Sequence, residues 1–388
     1  TYYYMHRYKD AAEADYSYCF PNRLEDIQAL ENAKLKNPSD AMAPYYLGCL
    51  FYAARQYDLA IENWELSSQK APMFPLVWRN LALARFNKQG REKEALGYMQ
   101  NAFKLDTTDA RMLMELDQLS KRLHHPHAER LEFLQQYPKL IEKRDDLVLE
   151  EITLLNQVGK YIQAKRKLDA HIFHPWEGGE GKVPAQYQIC RVEMAKQNIA
   201  EGKYKCAVGL LKQCLTYPHH LGEGKLYGAQ ENDFYYLLGV AYDALGKTDE
   251  AKECWEKAVL GPQEPAAAMY YNDAKPDKIF YQGMALRKLG REDEAYGRFY
   301  RLINYGKQHV FEHQTMDYFA VSLPDLLIWD DSLDTKNVIH CKYMLALGYC
   351  GMGDMKHALK YLAEVEALDN NHQGAQQLRS FIELRLLP

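Results

Sequence analysis

The sequence predicts an all-α fold: a right-handed α-solenoid of about eight helix-turn-helix repeats, with insertions between repeats in the C-terminal half. Two observations predict this fold. Apolar residues recur three and four positions apart, which places them on one face of a helix. Alanines also mark the second helix of each repeat, at gaps of 33–36 residues, then 43–44, and finally 63. Such self-similarity is typical of stacked helix pairs. The marker alanines are Ala60, Ala95, Ala128, Ala164, Ala207, Ala251, Ala295 and Ala358.

The clearest repeat lies at residues 232–265. Gly246 separates two predicted helices, and Pro265 follows the second one. Gly239 on the first helix and Ala251 on the second are small, so two antiparallel helices can approach closely beside larger residues. This order of large and small positions resembles the tetratricopeptide repeat, whose period is about 34 residues.

The resemblance covers about residues 40–370 and implies that the first helix of each repeat lines a groove. Insertions in such arrays usually collect on one face, which is often the binding face. The expected organisation is residues 1–40 as a leader and half-repeat, 41–171 as regular repeats, 172–370 as repeats with long insertions (172–187, 218–231 and 307–335), and 371–388 as a C-terminal capping helix.

Composition excludes several classes of partner. The net charge of −5 is spread over interspersed acidic and basic residues, which argues against nucleic acid or an anionic membrane as a partner. No apolar run approaches the roughly 18 residues that a membrane span requires. The eight cysteines include no C-x-x-C pair, which favours a reducing, intracellular setting, so we expect a cytoplasmic protein. We also expect no cofactor.

Some members of the repeat family hold a peptide's C-terminal carboxylate with Lys and Asn at fixed groove positions. At these positions the first repeat has Tyr45 and Cys49, and Asn80 in the second repeat is the only match. The resemblance therefore implies no such clamp and no recognition of chaperone tails. The equivalent positions of later repeats are mostly aromatic: Tyr236, Asp243, Phe280, Tyr281, Arg287 and Tyr343.

An aromatic groove of this kind offers a large contact area at low entropic cost. A peptide, a helix or the face of a sugar could stack there. The alternative is that these rings pack against the neighbouring repeat or against the chain's own insertions.

Two histidine clusters, His124, His125 and His127 and then His219 and His220, have the composition of a metal site. Zinc needs three or four converging ligands. Both clusters lie in turns beside proline, and neither has a Cys or carboxylate at ligand spacing, so we expect solvated turns and no metal.

The segment from His174 to Gly181 is the most unusual one in the chain. Trp176, flanked by Glu177 and Glu180, could form a stacking platform with hydrogen-bond acceptors for a carbohydrate. The two carboxylates could also form an acid–base pair, but glycoside hydrolysis needs carboxyls placed across a cleft, which adjacency in sequence does not establish. The alternative is a long loop that Trp176 anchors to the groove wall.

Three segments, CFPNRLEDIQALE, FHPWEGGEG and HHLGEG, give a narrower resemblance to the C-terminal region of a large bacterial family. Its members carry a β-rich, carbohydrate-associated domain ahead of such repeats. No G-x-S-x-G, H-E-x-x-H, G-x-G-x-x-G or kinase motif occurs, so we expect no enzyme activity in this segment.

The predicted function is therefore a non-catalytic scaffold in a larger bacterial protein. Its partner would be a protein or peptide, another copy of the chain, or its own upstream domain. The alternative is a carbohydrate-binding module that assists a glycan-processing parent enzyme.

Overall fold

The computed structural model describes residues 1–267, 273–315 and 328–387, and these residues form α-helices joined by turns and loops. The predicted all-α fold of repeated helix-turn-helix units is confirmed in this part of the chain. Two compact units are present, the first made of Thr1–His125, Pro138–Lys143 and the described part of Asp325–Asp330, and the second of the remaining residues.

The helices of the first unit pack in sequence order, with close contacts between α3 and α4, α4 and α5, α5 and α6, and α6 and α7. Tyr3, ahead of the first helix, donates its hydroxyl to Asp40 at 3.0 Å, which ties the leader to the start of the array. The helices are α1 Tyr8–Glu13, α2 Leu24–Lys36, α3 Met42–Ala53, α4 Tyr57–Lys70, α5 Pro75–Gln89, α6 Glu92–Leu105, α7 Ala110–Arg122 and α9 Pro138–Ile141.

The second unit continues the same packing, with its largest contacts between α14 and α15, α17 and α18, and α18 and α19. Part of its core is a continuous cluster that runs from Val192 to Phe381. The helices are α8 His127–Leu134, α10 Asp145–Gln157, α11 Tyr161–Ala170, α12 Lys182–Ala200, α13 Tyr204–Cys214, α14 Asn232–Ala244, α15 Thr248–Val259, α16 Pro276–Lys288, α17 Glu292–His309, α18 Leu333–Gly351, α19 Met355–Leu368 and α20 Gln373–Glu383.

Seven helix pairs share one local plan. In each, the marker alanine is fully buried and is the fourth residue of the second helix. A residue with left-handed backbone lies five positions before that alanine; it is glycine in six pairs and Arg55, with φ 59°, in the seventh. Glycine suits this turn because it adopts positive φ without strain. The pairs are α3/α4, α5/α6, α10/α11, α12/α13, α14/α15, α16/α17 and α18/α19.

The third predicted repeat departs from this plan. Its alanine, Ala128, is exposed and is the second residue of the short helix α8. The fourth residue is Arg130, whose buried guanidinium pairs with Glu150 at 2.7 Å. The histidine-rich turn before α8 therefore shifts the register, and an ion pair takes the place of the small-residue contact.

Close helix approach depends on glycines that face an aromatic ring sixteen residues later. A methyl group added at Gly239 would overlap the indole of Trp255, and one added at Gly283 would overlap the ring of Phe299. The close approach that the sequence predicts at Gly239 is confirmed by this packing.

The predicted insertions are partly helical where they are described. Helix α12 begins at Lys182, inside the stretch 172–187, and α17 extends to His309. Residues 316–327 of the stretch 307–335 lie outside the described residues. No helix among the described residues is both long enough and apolar enough to cross a membrane.

Candidate binding surfaces

The aromatic side chains expected to line a groove are buried in the second unit. Tyr236 and Phe280 are 0% and 1% exposed, and burial raises the pKa of Tyr281 and Tyr343 well above the ordinary tyrosine value. Phe381 of α20 packs against three of the rings, with centroids 6.3 Å from Tyr236, 6.0 Å from Phe280 and 5.8 Å from Tyr281. These rings therefore pack on the chain's own C-terminal helix and are shielded from solvent.

The two charged groove candidates of this unit lie apart from that aromatic cluster. Asp243 is exposed near the end of α14. Arg287 pairs with Glu292 at 3.2 Å, and its guanidinium lies 5.3 Å from the ring centre of Phe299. Arg287 is thus held by its own repeat, and Asp243 remains available to solvent.

A buried ion pair on α12 fixes α20. The Nζ of Lys196 donates to the Oε1 of Glu193 at 2.7 Å and to the backbone carbonyl of Gln377 at 3.0 Å. The hydroxyl of Ser380 donates to the other carboxylate oxygen of Glu193 at 2.6 Å. Because both charged side chains are almost fully buried, their hydrogen bonds to α20 are needed to offset the cost of removing them from water.

The start of α20 is held by amide side chains. Gln186 and Gln373 form a reciprocal pair, with N–O distances of 2.7 and 3.1 Å, and Gln157 donates to the backbone carbonyl of Asn371 at 3.2 Å. Arg130 donates to the side chain of Asn371 at 3.0 Å. The contacts of this C-terminal segment thus reach well beyond the last repeat, which the sequence expects it to cap.

The first unit also contains a buried polar arrangement near its groove candidates. Arg79 binds the carboxylate of Glu115 through two nitrogens, at 2.5 and 2.6 Å, and donates to Asn80 at 3.1 Å. Tyr45 is half-buried, with its ring centre 4.9 Å from that of Phe74. The ion pair ties α5 to α7, so the surface between these helices is held in place.

Residues 328–330 of the third insertion lie on this surface of the first unit. Trp329 is 2% exposed, and its indole N–H donates to the backbone carbonyl of Glu115 at 3.0 Å. Its ring meets Phe86 of α5 edge-on, with centroids 5.3 Å apart. The sequence places Trp329 in the insertion 307–335 but gives it no role, because periodicity carries no information on contacts more than two hundred residues apart.

The two shorter insertions of the second unit meet each other. The N–H of Phe173 donates to the carbonyl of His220 at 2.8 Å, and the N–H of Gly181 donates to the carboxylate of Glu223 at 2.8 Å. Gly222, with φ 75°, packs so closely on the backbone of Phe173 that an added methyl group would clash. These two segments, which carry part of the resemblance to the bacterial family, therefore form one structure, here called the loop pair (residues 173–184 and 218–224).

The loop pair lines an open cavity of about 340 Å³. Trp176, Glu177, Glu180 and Glu223 contribute to its wall, and the indole of Trp176 lies so close to Gly179 that a methyl group added there would overlap it. Burial, aided by the charge of Glu180, raises the pKa of Glu223, while the bond from the loop backbone opposes this shift. Three carboxylates beside one aromatic face could accept hydrogen bonds from hydroxyl groups of a ligand.

Asp145, the first residue of α10, anchors the start of the loop pair. Its carboxylate accepts from His171 Nε2 at 2.7 Å and from the backbone N–H of His174 at 2.7 Å, and it lies 3.0 Å from the ring Nδ1 of His174. Although burial alone would raise it, these hydrogen bonds hold the pKa of Asp145 below its ordinary value. His174 itself remains largely exposed at the edge of the cavity.

The histidine clusters occupy turns. His124 and His125 follow the end of α7, and His127 begins α8. His219 and His220 form a short 3-10 turn, and His219 is exposed. Nowhere in the described ranges do three His, Cys, Asp or Glu side chains converge as a metal site would need.

Comparison with known proteins places one repeat in a family. Residues 233–260 match the tetratricopeptide repeat family. Among solved structures, the chain is similar to YrrB, described as a TPR protein with an unusual peptide-binding site, at 14% identity over 60% of this chain and 92% of that one, with a TM-score of 0.33. A tetratricopeptide repeat protein from Parabacteroides merdae matches at 14% identity over 71% of this chain and 92% of that one, with a TM-score of 0.37.

The TPR2AB domain of yeast Sti1, solved in a complex with pHSP90, matches at 14% identity over 70% of this chain and 93% of that one, with a TM-score of 0.30. At these values none of the three likenesses bears on what this chain binds. The matched residues coincide with the pair α14/α15, whose local plan recurs in six other pairs. The chain is thus an all-α array of helix-turn-helix units in which residues 233–260 match the tetratricopeptide repeat.

Proposed function

We propose that the chain is a non-catalytic scaffold that binds a protein partner through the surfaces formed by the first helices of its helix pairs, here called the inner surfaces of its helical arrays. The observation that carries this proposal is that each array already holds a polypeptide segment on that surface, α20 in the second unit and residues 328–330 in the first. In each case an array side chain hydrogen-bonds to the backbone of the held segment, through Lys196 and Asn87 respectively. Bonds to backbone atoms suit polypeptide of many sequences.

The finer identity of the partner follows from the sequence. We propose the upstream β-rich domain that the bacterial resemblance implies, with a second copy of the chain as the competing partner. Light scattering on the purified chain separates these two, because self-association raises its mass without any added protein.

The eight cysteines are all free thiols, which supports a cytoplasmic location. A thiol titration tests this location: the protein is isolated without reductant and unfolded, and all eight thiols should react.

Capture experiments test the scaffold proposal. Two tagged baits are used: the wild-type chain and its Phe381→Ala variant, in which α20 is loosened. Each bait is exposed to the upstream domain and to cell lysate. The complex with each captured protein is then reconstituted from purified components. We expect stoichiometric binding that is stronger for the variant, because its inner surface is more accessible. Phe311→Ala, at a side chain that is 93% exposed, is the control. A chain that stays monomeric and retains no protein with either bait contradicts the proposal.

The loop-pair cavity favours a second candidate function, binding of a glycan. Sugars stack on aromatic faces and donate hydroxyl hydrogen bonds to carboxylates, and the cavity presents Trp176 beside Glu177, Glu180 and Glu223. Its volume of about 340 Å³ falls within the range of small-ligand pockets.

Oligosaccharide titrations followed by tryptophan fluorescence test the glycan proposal. We expect a saturable change that Trp176→Phe removes and that Trp78→Phe, at a half-buried indole of the first unit, preserves. A flat titration, or a response that both variants retain, argues against a glycan at the loop pair.

A further inference from the structure

Residues 328–330 contact the first unit in the manner of a bound peptide. Asn87 of α5 contacts their backbone twice: its amide nitrogen donates to the carbonyl of Ile328 at 2.8 Å, and its amide oxygen accepts from the N–H of Asp330 at 2.9 Å. This pair of bonds spans two residues of the segment and does not depend on their side chains. Asn87 therefore fixes the path of the backbone and leaves the choice of sequence to neighbouring groups.

Two neighbouring groups recognise side chains. The indole of Trp329 is buried between Phe86 and the carbonyl of Glu115, which accepts its N–H. The Nζ of Lys88 lies 2.8 Å from the carboxylate of Asp330. The surface thus selects an aromatic residue with a hydrogen-bond donor, followed directly by an acidic residue.

The receptor surface is held in place independently of the segment. The carboxylate of Glu115 is bound by Arg79 of α5 and by Arg111 of α7, the latter at 2.8 Å. These bonds tie α5 to α7 beside the carbonyl that receives Trp329, which itself belongs to the backbone of α7, so contacts that do not involve the segment hold this surface together. Preorganised surfaces lose less entropy on binding.

The described contact is small enough to be exchanged. It buries one large side chain, that of Trp329. In the ion pair between Lys88 and Asp330, the Asp330 side chain is half-exposed, so solvent screens the attraction. By contrast, α20 is held by a buried ion pair, an amide pair and an aromatic cluster. Among the described residues, the segment is held by Trp329, two backbone bonds and the ion pair of Asp330, and a competitor of the same chemistry can replace these contacts.

We propose that the surface between α5 and α7 is a binding site for an extended Trp-Asp segment of a protein partner, and that residues 328–330 occupy it in cis. This inference rests on the proposed scaffold function and deepens it by naming the class of ligand and an autoinhibitory contact. A tethered segment acts at an effective concentration of about 1 mM, so for an intrinsic Kd on the order of 50 μM it weakens binding in trans about 20-fold.

The test uses the full chain and a fluorescein-labelled peptide, Ile-Trp-Asp-Asp-Ser-Leu, which copies residues 328–333. We expect Trp329→Ala, with its site vacated, to bind the peptide about 20-fold more tightly than wild type does. Adding Asn87→Ala to this variant should abolish binding, whereas adding Asn101→Ala, on α6 of the same unit, should not. A peptide with Ala in place of Trp should not bind.

A second releasing variant guards against a folding defect in Trp329→Ala. Asp330→Lys places like charge opposite Lys88, and it should also expose the site while leaving the circular dichroism spectrum unchanged. Equal peptide affinity for wild type and both releasing variants, or no binding to either variant at 1 mM peptide, overturns the proposal. A wild-type dimer that the variants convert to monomer also overturns it, because the segment would then come from a second copy.

The outcome is separable from that of the scaffold proposal. The peptide assay needs no partner, so a negative result combined with stoichiometric partner capture would reject the Trp-Asp site and retain the scaffold. Peptide binding by a chain that stays monomeric and captures no partner would support the site and contradict the scaffold proposal.

Discussion

Removing the ring of Phe381 should detach α20 from the second unit. The side chain is fully buried and lies about 6 Å from the ring centres of Tyr236, Phe280 and Tyr281. Truncation of a buried Phe to Ala typically costs about 3–5 kcal/mol. Since α20 is a terminal helix, we expect the loss to appear first as local opening of residues 371–387, and the cost to global stability cannot exceed the free energy that docks this helix.

Hydrogen exchange measures this opening directly. A loss of about 3 kcal/mol corresponds to amides in α20 that exchange on the order of 150-fold faster in Phe381→Ala than in wild type. Phe311→Ala, at an exposed ring of the same unit, is the control and should leave the exchange of α20 unchanged. Exchange in α20 within threefold of wild type would refute the conclusion that Phe381 anchors this helix.

Three further changes test the packing and electrostatics of the second unit. Gly283→Ala should lower the free energy of unfolding by about 1–3 kcal/mol, because the added methyl group overlaps Phe299. Gly297→Ala has open space around the added methyl group and should raise the free energy of unfolding by about 0.5–1 kcal/mol. Urea titration compares the two variants, and equal effects contradict the close approach at Gly283. Tyr236→Phe should leave the urea midpoint unchanged or raise it, because the buried hydroxyl has no hydrogen-bond partner among the described residues; a loss above 1 kcal/mol would reveal a missing partner. Folding lowers the pKa of Asp145, so its carboxylate stabilises the folded state at neutral pH, and this stabilisation disappears as the pH falls through the folded-state pKa. The difference in unfolding free energy between wild type and Asp145→Asn should therefore shrink below about pH 4. A pH-independent difference contradicts the role of the Asp145 carboxylate in stability.

Local sequence rules predict the repeat well where one small residue determines the packing. The marker alanines identify seven second helices because a fixed position must be small for two helices to approach. The same rule fails at Ala128, because the turn before α8 is longer and Arg130 takes the buried position with Glu150 as its partner. A charged residue in a core position is invisible to a search for small residues.

The binding surfaces are less predictable, because they depend on contacts between distant parts of the chain. The groove positions of Tyr236 and Phe280 follow from the repeat, but their burial depends on Phe381, which lies more than a hundred residues after either of them. A partial signal exists at Glu193 and Lys196: opposite charges three residues apart on a helix often form a pair, and here that pair is buried and bonded to α20. For Asn87 no local signal exists, since its partners belong to an insertion that shares no periodicity with the repeats.

The most direct test of the scaffold function is hydrogen exchange of the full chain before and after it binds its captured partner. We predict that the partner displaces a segment already held by the chain, so that amides of α20 or of residues 328–330 exchange faster while the first helices beneath them stay protected. If the partner slows exchange only in the second helices of the pairs, and exchange in both held segments is unchanged, binding at the inner surfaces is contradicted.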